Sequence, residues 1–238
     1  MSAGGFAVVA GAILIASCLQ ASIGFGIGML AAPVVAVVDP GLIPGTLIMV
    51  AALVTLMVTV RERDDIDLSG TGWALVGRVP GTIAGALLLA ALPEKVLALM
   101  LAAVVLLGVG LTSAGWVPAA RRRNVVLAGA TSGLLGTATA IGGPPMALVW
   151  QRNSGARLRG TMAGFFLVGS VMSLAALAVT GSVDLHTLWA FALLIPVSVA
   201  GYVLSRYVNR FLDHARLRVV AIVMSVVGAT VLIVQQLT

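Results

Sequence analysis

Only a few side chains in this sequence could do polar chemistry. Its 238 residues include 14 Lys and Arg, 8 Asp and Glu, 2 His and a single Cys. Of the basic residues, Arg78 alone falls inside an apolar stretch, ALVGRVPGTIAGALLL. A guanidinium at that depth costs at least about 2.5–3.5 kcal/mol on insertion scales. Its fork of donors matches an oxyanion in bidentate fashion, which makes Arg78 a candidate clamp for an anionic ligand. The bland alternative is a long side chain snorkelling back to the interface. Asp and Glu are confined to the ends of the apolar runs: Asp39, Glu94 and Asp184 at one boundary, and Glu62, Asp64, Asp65, Asp67 and Asp213 at the other. His186 and His214 are also at boundaries. A buried carboxylate or histidine relay is therefore missing, and ion coupling is left open. An intramembrane hydrolase or transferase would need a nucleophile–base pair, an H-E-x-x-H helix or a buried acid, and none is present. The residues imply no enzyme, no cofactor and no metal.

The backbone is the second candidate reagent. The segment QASIGFGIGMLAAPVVAVVDP, beginning at Gln20, carries Gly24, Gly26 and Gly28 and then Pro33. A related pattern, GTATAIGGPP, begins at Gly136. Such residues break a helix, and open backbone survives in lipid only where it is buried in protein or lines a wet cavity. A helix starting after each break offers free N–H groups worth roughly half a positive charge. Pro144 and Pro145 suit first-turn positions. Two such starts facing each other would hold an anion. The expected lining is Gln20, Ser22, Gly24, Phe25, Gly26 and Gly28 from the first break, and Gly136, Thr137, Thr139, Gly142, Gly143 and Pro144 from the second, with Arg78. Gln151 is expected to be interfacial and Asp39 a turn residue. The competing reading of the glycines is close helix packing.

The elements that must position these groups are membrane helices. Charged residues make up 9% of the chain and mean hydropathy is +1.13, against about 25% charged in a soluble domain. Clear apolar segments cover 5–22, 43–60, 71–92, 95–116, 159–180, 184–204 and 215–236, with shorter pieces at 26–39, 124–137 and 140–151. The chain also reads as a duplication. GFGIGMLAAP from Gly24 matches GTATAIGGPP at an offset of 112, Gly45 matches Gly160 at 115, Pro80 matches Pro196 at 116, and Gly108 matches Gly228 at 120. Charge placement sets the topology. If each break is one crossing, the 13 basic residues outside apolar segments divide 5 to 8. If each break is a hairpin, they divide 12 to 1, Lys95 being the exception. Equivalent loops then lie on opposite faces.

The expected fold is thus an all-α integral membrane protein of two inverted repeats, 1–118 and 119–238. Each repeat has about five helical segments and opens on a glycine-broken helix or re-entrant hairpin. Both termini are expected on the non-cytoplasmic side. The stretch ending at Cys18 mimics a lipoprotein cleavage site, but the first 60 residues lack the Lys or Arg of a signal peptide. The net charge of +6 is spread over helix ends and does not point to nucleic acid; the partners expected are the bilayer and a small anion. Inverted repeats with broken helices point to a secondary transporter. A channel, or a membrane subunit of a larger assembly, is the alternative, and a homodimer is left open.

The tandem G-x-G-x-G…P and G…GG-P-P segments, duplicated in a small protein with almost no loops, resemble the sulfite exporter TauE/SafE family. The resemblance spans nearly the whole chain. It implies transport, in the export direction, of sulfite, sulfoacetate and related organosulfonates across the bacterial inner membrane. Ile27 between Gly26 and Gly28, and TATA before the second glycine pair, depart from the family pattern and leave the particular anion open.

Overall fold

A computed structural model describes residues 2–113, 118–150, 152–153 and 155–211, with the isolated positions 223, 226, 230 and 234. Gln151, Asp213, His214, Arg216, Arg218, Gly228, nearly all of the expected 215–236 segment and residues 114–117 before the repeat boundary lie outside the described residues.

The described residues are helical throughout their regular structure: α1 Ala3–Ile23, α2 Ile27–Val38, α3 Gly45–Arg61, α4 Leu68–Ala91, α5 Glu94–Ser113, α6 Arg122–Thr139, α7 Gly143–Trp150, α8 Gly155–Val179 and α9 Leu185–Phe211. The helices α1, α4, α8 and, over Leu185–Val208, α9 are long and apolar enough to cross a membrane. Boundary residues act as caps. Ser2 accepts from the Gly5 amide, Asp67 from the Gly70 amide, and Asp184 from both the amide and the hydroxyl of Thr187. The Thr187 hydroxyl, followed by its amide, holds the Asp184 carboxyl below its ordinary pKa.

Each break reverses the chain. Gly24 closes α1 in the left-handed conformation (φ 92°), its amide donating to Gln20 O at 2.8 Å. Gly26 (φ 142°) then lets α2 fold back against Leu19. One end of the bundle gathers Ala21, Arg61, Glu62 and Arg159. The other gathers Asp39 and His186, 3.6 Å apart, and the Thr46 hydroxyl, which donates to Thr187 O. So α1 runs from the second end to the first, α2 returns, and α3 runs back again. The helices α4 and α6 lie parallel, with Ala74 beside Gly129 and Gly85 beside Leu134, so both start at the end that holds Arg61. The first break is narrower than the glycine spacing suggests, because Gly28 is already helical in α2. The second is only Ala140–Gly142, because Gly136, Thr137 and Thr139 belong to α6.

The tightest seam is α4 against α6, with α1 on α9 and α3 on α8 as further large contacts. It is a glycine seam. A Cβ on Gly77 would overlap Val126 O, one on Gly81 would overlap Ala130 O, and one on Gly129 would overlap Ala74 O. The G-x-x-x-G-x-x-x-G run at 77, 81 and 85 is the small-residue spacing that brings membrane helices into backbone contact. The opposite face of α4 exposes Val76, Val79, Ile83 and Leu87.

Candidate functional site

The two breaks touch. A Cβ on Gly28 would overlap Ala140 O, and one on Gly143 would meet Phe25 side-chain atoms at 3.0–3.3 Å. Where they meet lies a cavity of about 40 Å³. Gln20, Phe25, Gly26, Gly28 and Met29 line it from the first break, and Gly136, Ala140, Ile141, Gly142 and Gly143 from the second; Ile48, Ala51, Phe166, Ser170 and Arg78 complete the wall. On the basis that one water needs some 10–15 Å³ of such volume, the space suits a few waters or an ion of a few heavy atoms.

Arg78 supplies the charge. The residue is 3% exposed, so its guanidinium turns into the bundle and does not snorkel to a surface. Nη1 donates to Ser132 Oγ at 3.2 Å, and Ser132 in turn donates to Gly142 O at 2.6 Å. Cζ lies 4.8 Å from the Phe165 ring centroid and 5.8 Å from that of Phe166. Gly169 provides the clearance, since a Cβ there would overlap Nε and Cζ. Nε has no hydrogen-bond partner, and among the described residues no carboxylate pairs with this arginine. A buried, unpaired cation is costly, and cation–π contacts with two rings offset only part of that cost.

The helix starts contribute fewer donors than the glycine pattern suggests. Ile27 N, the first amide of α2, donates to Gln20 Oε1 at 3.1 Å, which leaves Gly28 and Met29 as first-turn donors. In α7 the second and third positions are Pro144 and Pro145, which carry no N–H. The positive character of the cavity therefore rests mainly on Arg78. The left-handed residue before α7 is Ala140 (φ 62°), and its turn is held by Ile141 N donating to Thr139 Oγ1 at 3.3 Å.

Of the residues expected to line the site, Gln20, Phe25, Gly26, Gly28, Arg78, Gly136, Gly142 and Gly143 come together around the cavity. The others are engaged nearby. Ser22 donates to Cys18 O, Thr137 shares a 2.8 Å hydrogen bond with Ser173, and Thr139 donates to Leu135 O. Gly24 packs on Met162 and Arg159, and Pro144 is buried in α7. Sequence reasoning missed Ser132, Ser170, Phe166 and Gly169. Ser132 carried a signal: it lies one turn before Gly136 on the same face of α6.

Two further features flank the cavity. Beyond Thr139, towards Asp39, lies a larger cavity of about 300 Å³, walled by Ala36, Pro40, Ile43, Leu89, Leu92 and Leu97, with Thr139 and Ser182. On the opposite side Glu62 holds Arg61 and Arg159. Among the described residues no group of His, Cys, Asp or Glu could hold a metal ion.

Among the described residues, a helical bundle with membrane-length apolar helices, packed around a buried cation where two breaks meet, has the makeup of an integral membrane protein. The family model described as sulfite exporter TauE/SafE matches residues 9–232, and the chain belongs to that family. Searches of curated proteins and of solved structures return no match.

Proposed function

We propose that this protein is a secondary transporter that exports a small sulfur-containing anion, sulfite or an organosulfonate, across the cell inner membrane. The substrate binds where the two breaks meet, held by Arg78 and by the amides and side chains around Gly26, Gly28, Gly142 and Gly143. The observation that carries this reading is Arg78: 3% exposed, on the cavity wall, unpaired by any described carboxylate, with Nε lacking a hydrogen-bond partner. A protein that maintains such a charge gains most when an anion completes it.

The architecture in this reading is two inverted repeats, 1–118 and 119–238. Its support is positional. The capping residues Gly24 and Ala140 are 116 residues apart, as are the helix starts Ile27 and Gly143 and the intrahelical prolines Pro80 and Pro196. That spacing replaces the offset of 112 assigned to the first motif and pairs Gly26 with Gly142. The packing pattern agrees, α4 on α6 being answered by α9 on α1. The arginine-rich end, with Arg61, Arg122 and Arg159, faces the cytoplasm by the positive-inside rule, and the N-terminus lies outside.

The test is flux in proteoliposomes with labelled sulfite, sulfoacetate and an uncharged compound of similar size. Saturable transport of the anions, accelerated by unlabelled anion on the far side, is expected. Transport that ignores ligand charge would refute the site, flux without counterflow would replace the carrier with a channel, and cysteine labelling that placed the N-terminus in the cytoplasm would overturn the sidedness.

A further inference from the structure

At the end of the bundle away from His186, two guanidiniums converge on one carboxylate oxygen. Glu62 Oε1 accepts from Arg61 Nε at 2.9 Å, and from Arg159 Nη2 at 2.9 Å and Nε at 3.1 Å. The three side chains are 11–19% exposed, so the cluster is mostly shielded yet reachable from water. Arg61 also donates through Nη2 to Ala21 O at 3.1 Å and lies 5.2 Å from the Tyr202 ring centroid. The cluster thereby ties the ends of α1 and α3 to the start of α8 and to α9.

Its position relates it to the central cavity. A Cβ on Gly24 would meet Met162 Cβ at 2.9 Å and Arg159 Cα at 3.6 Å, while the next two residues, Phe25 and Gly26, line the cavity. A single left-handed turn thus separates the paired arginines from unpaired Arg78. Among the described residues the opposite end has no arginine, and its larger cavity is walled by neutral groups.

Two forked cations closing on a carboxylate have the geometry with which proteins bind a free oxyanion. Two guanidiniums against one carboxylate also leave an excess of one positive charge. We infer that Arg61 and Arg159 form a second oxyanion-binding site, the station before the central cavity, and that Glu62 is its built-in competitor. This rests on the proposed transport function. An arriving anion takes over the donors of Arg61 and Arg159, and the Glu62 carboxylate swings to water. One negative charge replaces another, so the exchange has little electrostatic cost. The clamp between α3 and α8 opens as it happens, and the Gly24 turn is freed to pass the anion inward. Glu62 is a positioning residue for entry, and the ligand class is a small oxyanion with at least two adjacent oxygens.

The test uses full-length protein in proteoliposomes, with sulfite as the probe and half-saturation measured separately from each face. Glu62→Gln keeps the size of the side chain and removes the competing charge. It should lower half-saturation about fivefold at the face bearing Arg61, in keeping with the strength of a partly exposed ion pair, and leave the other face unchanged. Arg159→Lys keeps the charge, loses the fork and should raise half-saturation at the same face. Unchanged values in both variants, or equal shifts at both faces, would overturn the inference. A simple structural clamp would lower thermal stability without producing a one-sided shift. Should Glu62→Gln fail to reconstitute, Arg159→Lys alone decides. Arg78→Met separates this inference from the central site: wild-type flux in that variant with a one-sided shift in Glu62→Gln would refute the central cavity and keep the entry site.

Discussion

Replacing Arg78 by methionine removes the charge while nearly conserving the length of the side chain, so it separates a ligand-binding arginine from a structural one. Within the bundle the guanidinium has one hydrogen bond, to Ser132, and two aromatic faces. A hydrogen bond to a charged group contributes about 1.5–3 kcal/mol, and two desolvated cation–π contacts about 2 kcal/mol each. Against these stands a desolvation penalty of several kcal/mol for a buried ion. The terms nearly cancel, so Arg78→Met should leave the melting temperature of the ligand-free protein in detergent unchanged or slightly raised. With anion bound the balance differs. Losing one partner of a buried, hydrogen-bonded charge pair costs about 3–5 kcal/mol, a loss of affinity on the order of 100- to 5,000-fold. The assay is a thermal melt across a sulfite titration, run beside flux in proteoliposomes. The wild type should be stabilised as ligand saturates it, and the variant should show no flux and a clearly smaller shift, limited to what sulfite gains at Arg61 and Arg159. A variant with an intact sulfite shift would refute the reasoning. So would a variant destabilised by several kcal/mol without ligand, because Arg78 would then be a structural residue.

Gly143→Val should abolish flux with only a small fall in melting temperature, because the new side chain presses on Phe25, whose ring already stands 3.0 Å from a Cβ at that position, and drives it into the cavity. Wild-type transport would show that the cavity is not on the path. Ser132→Ala removes the link between Arg78 and Gly142 O and should weaken sulfite affinity about 10-fold, the worth of one buried hydrogen bond; unaltered half-saturation would remove Ser132 from the site. Gly81→Val forces α4 away from Ala130 O and should destabilise the fold by about 1–3 kcal/mol or more, seen as a lower melting temperature and poor yield, whereas a normal melt would mean that the seam is looser than described.

How much of this was legible in the sequence depends on what each residue type reports. Apolar runs bounded by charge located the helices, since lipid demands both; α3 and α4 begin and end within about three residues of the expected segments. Arg78 stood out because a charge in such a run has few explanations, and the breaks stood out because glycine and proline interrupt helices whatever their neighbours do. The faces of the helices were not legible. In α8, Phe165 is fully buried while Val168 and Val171 are exposed, yet all are equally apolar, because a helix between lipid and protein needs no polar side. Pairings across sequence distance were hidden for the same reason. Ser132 reaches Gly142 O, and Gly28 meets Ala140, only after two hairpins have folded together. Ala140 took the left-handed position although three glycines stand nearby in sequence, because those glycines are used elsewhere: Gly136 and Gly142 where the chain crosses itself beside Arg78, and Gly143 against Phe25.

The shelter around Arg78 also constrains biogenesis. Its guanidinium leans on Ser132 of α6 and on Phe165, Phe166 and Gly169 of α8, all of which leave the ribosome well after α4. A nascent chain that has threaded only α1 to α4 through the insertion machinery carries an arginine with none of these companions and a glycine face with nothing against it. The shelter of Arg78 is complete only at Gly169, about eighty residues beyond the end of α4. Until then the guanidinium in this apolar run carries the full cost of an unsheltered charge in lipid.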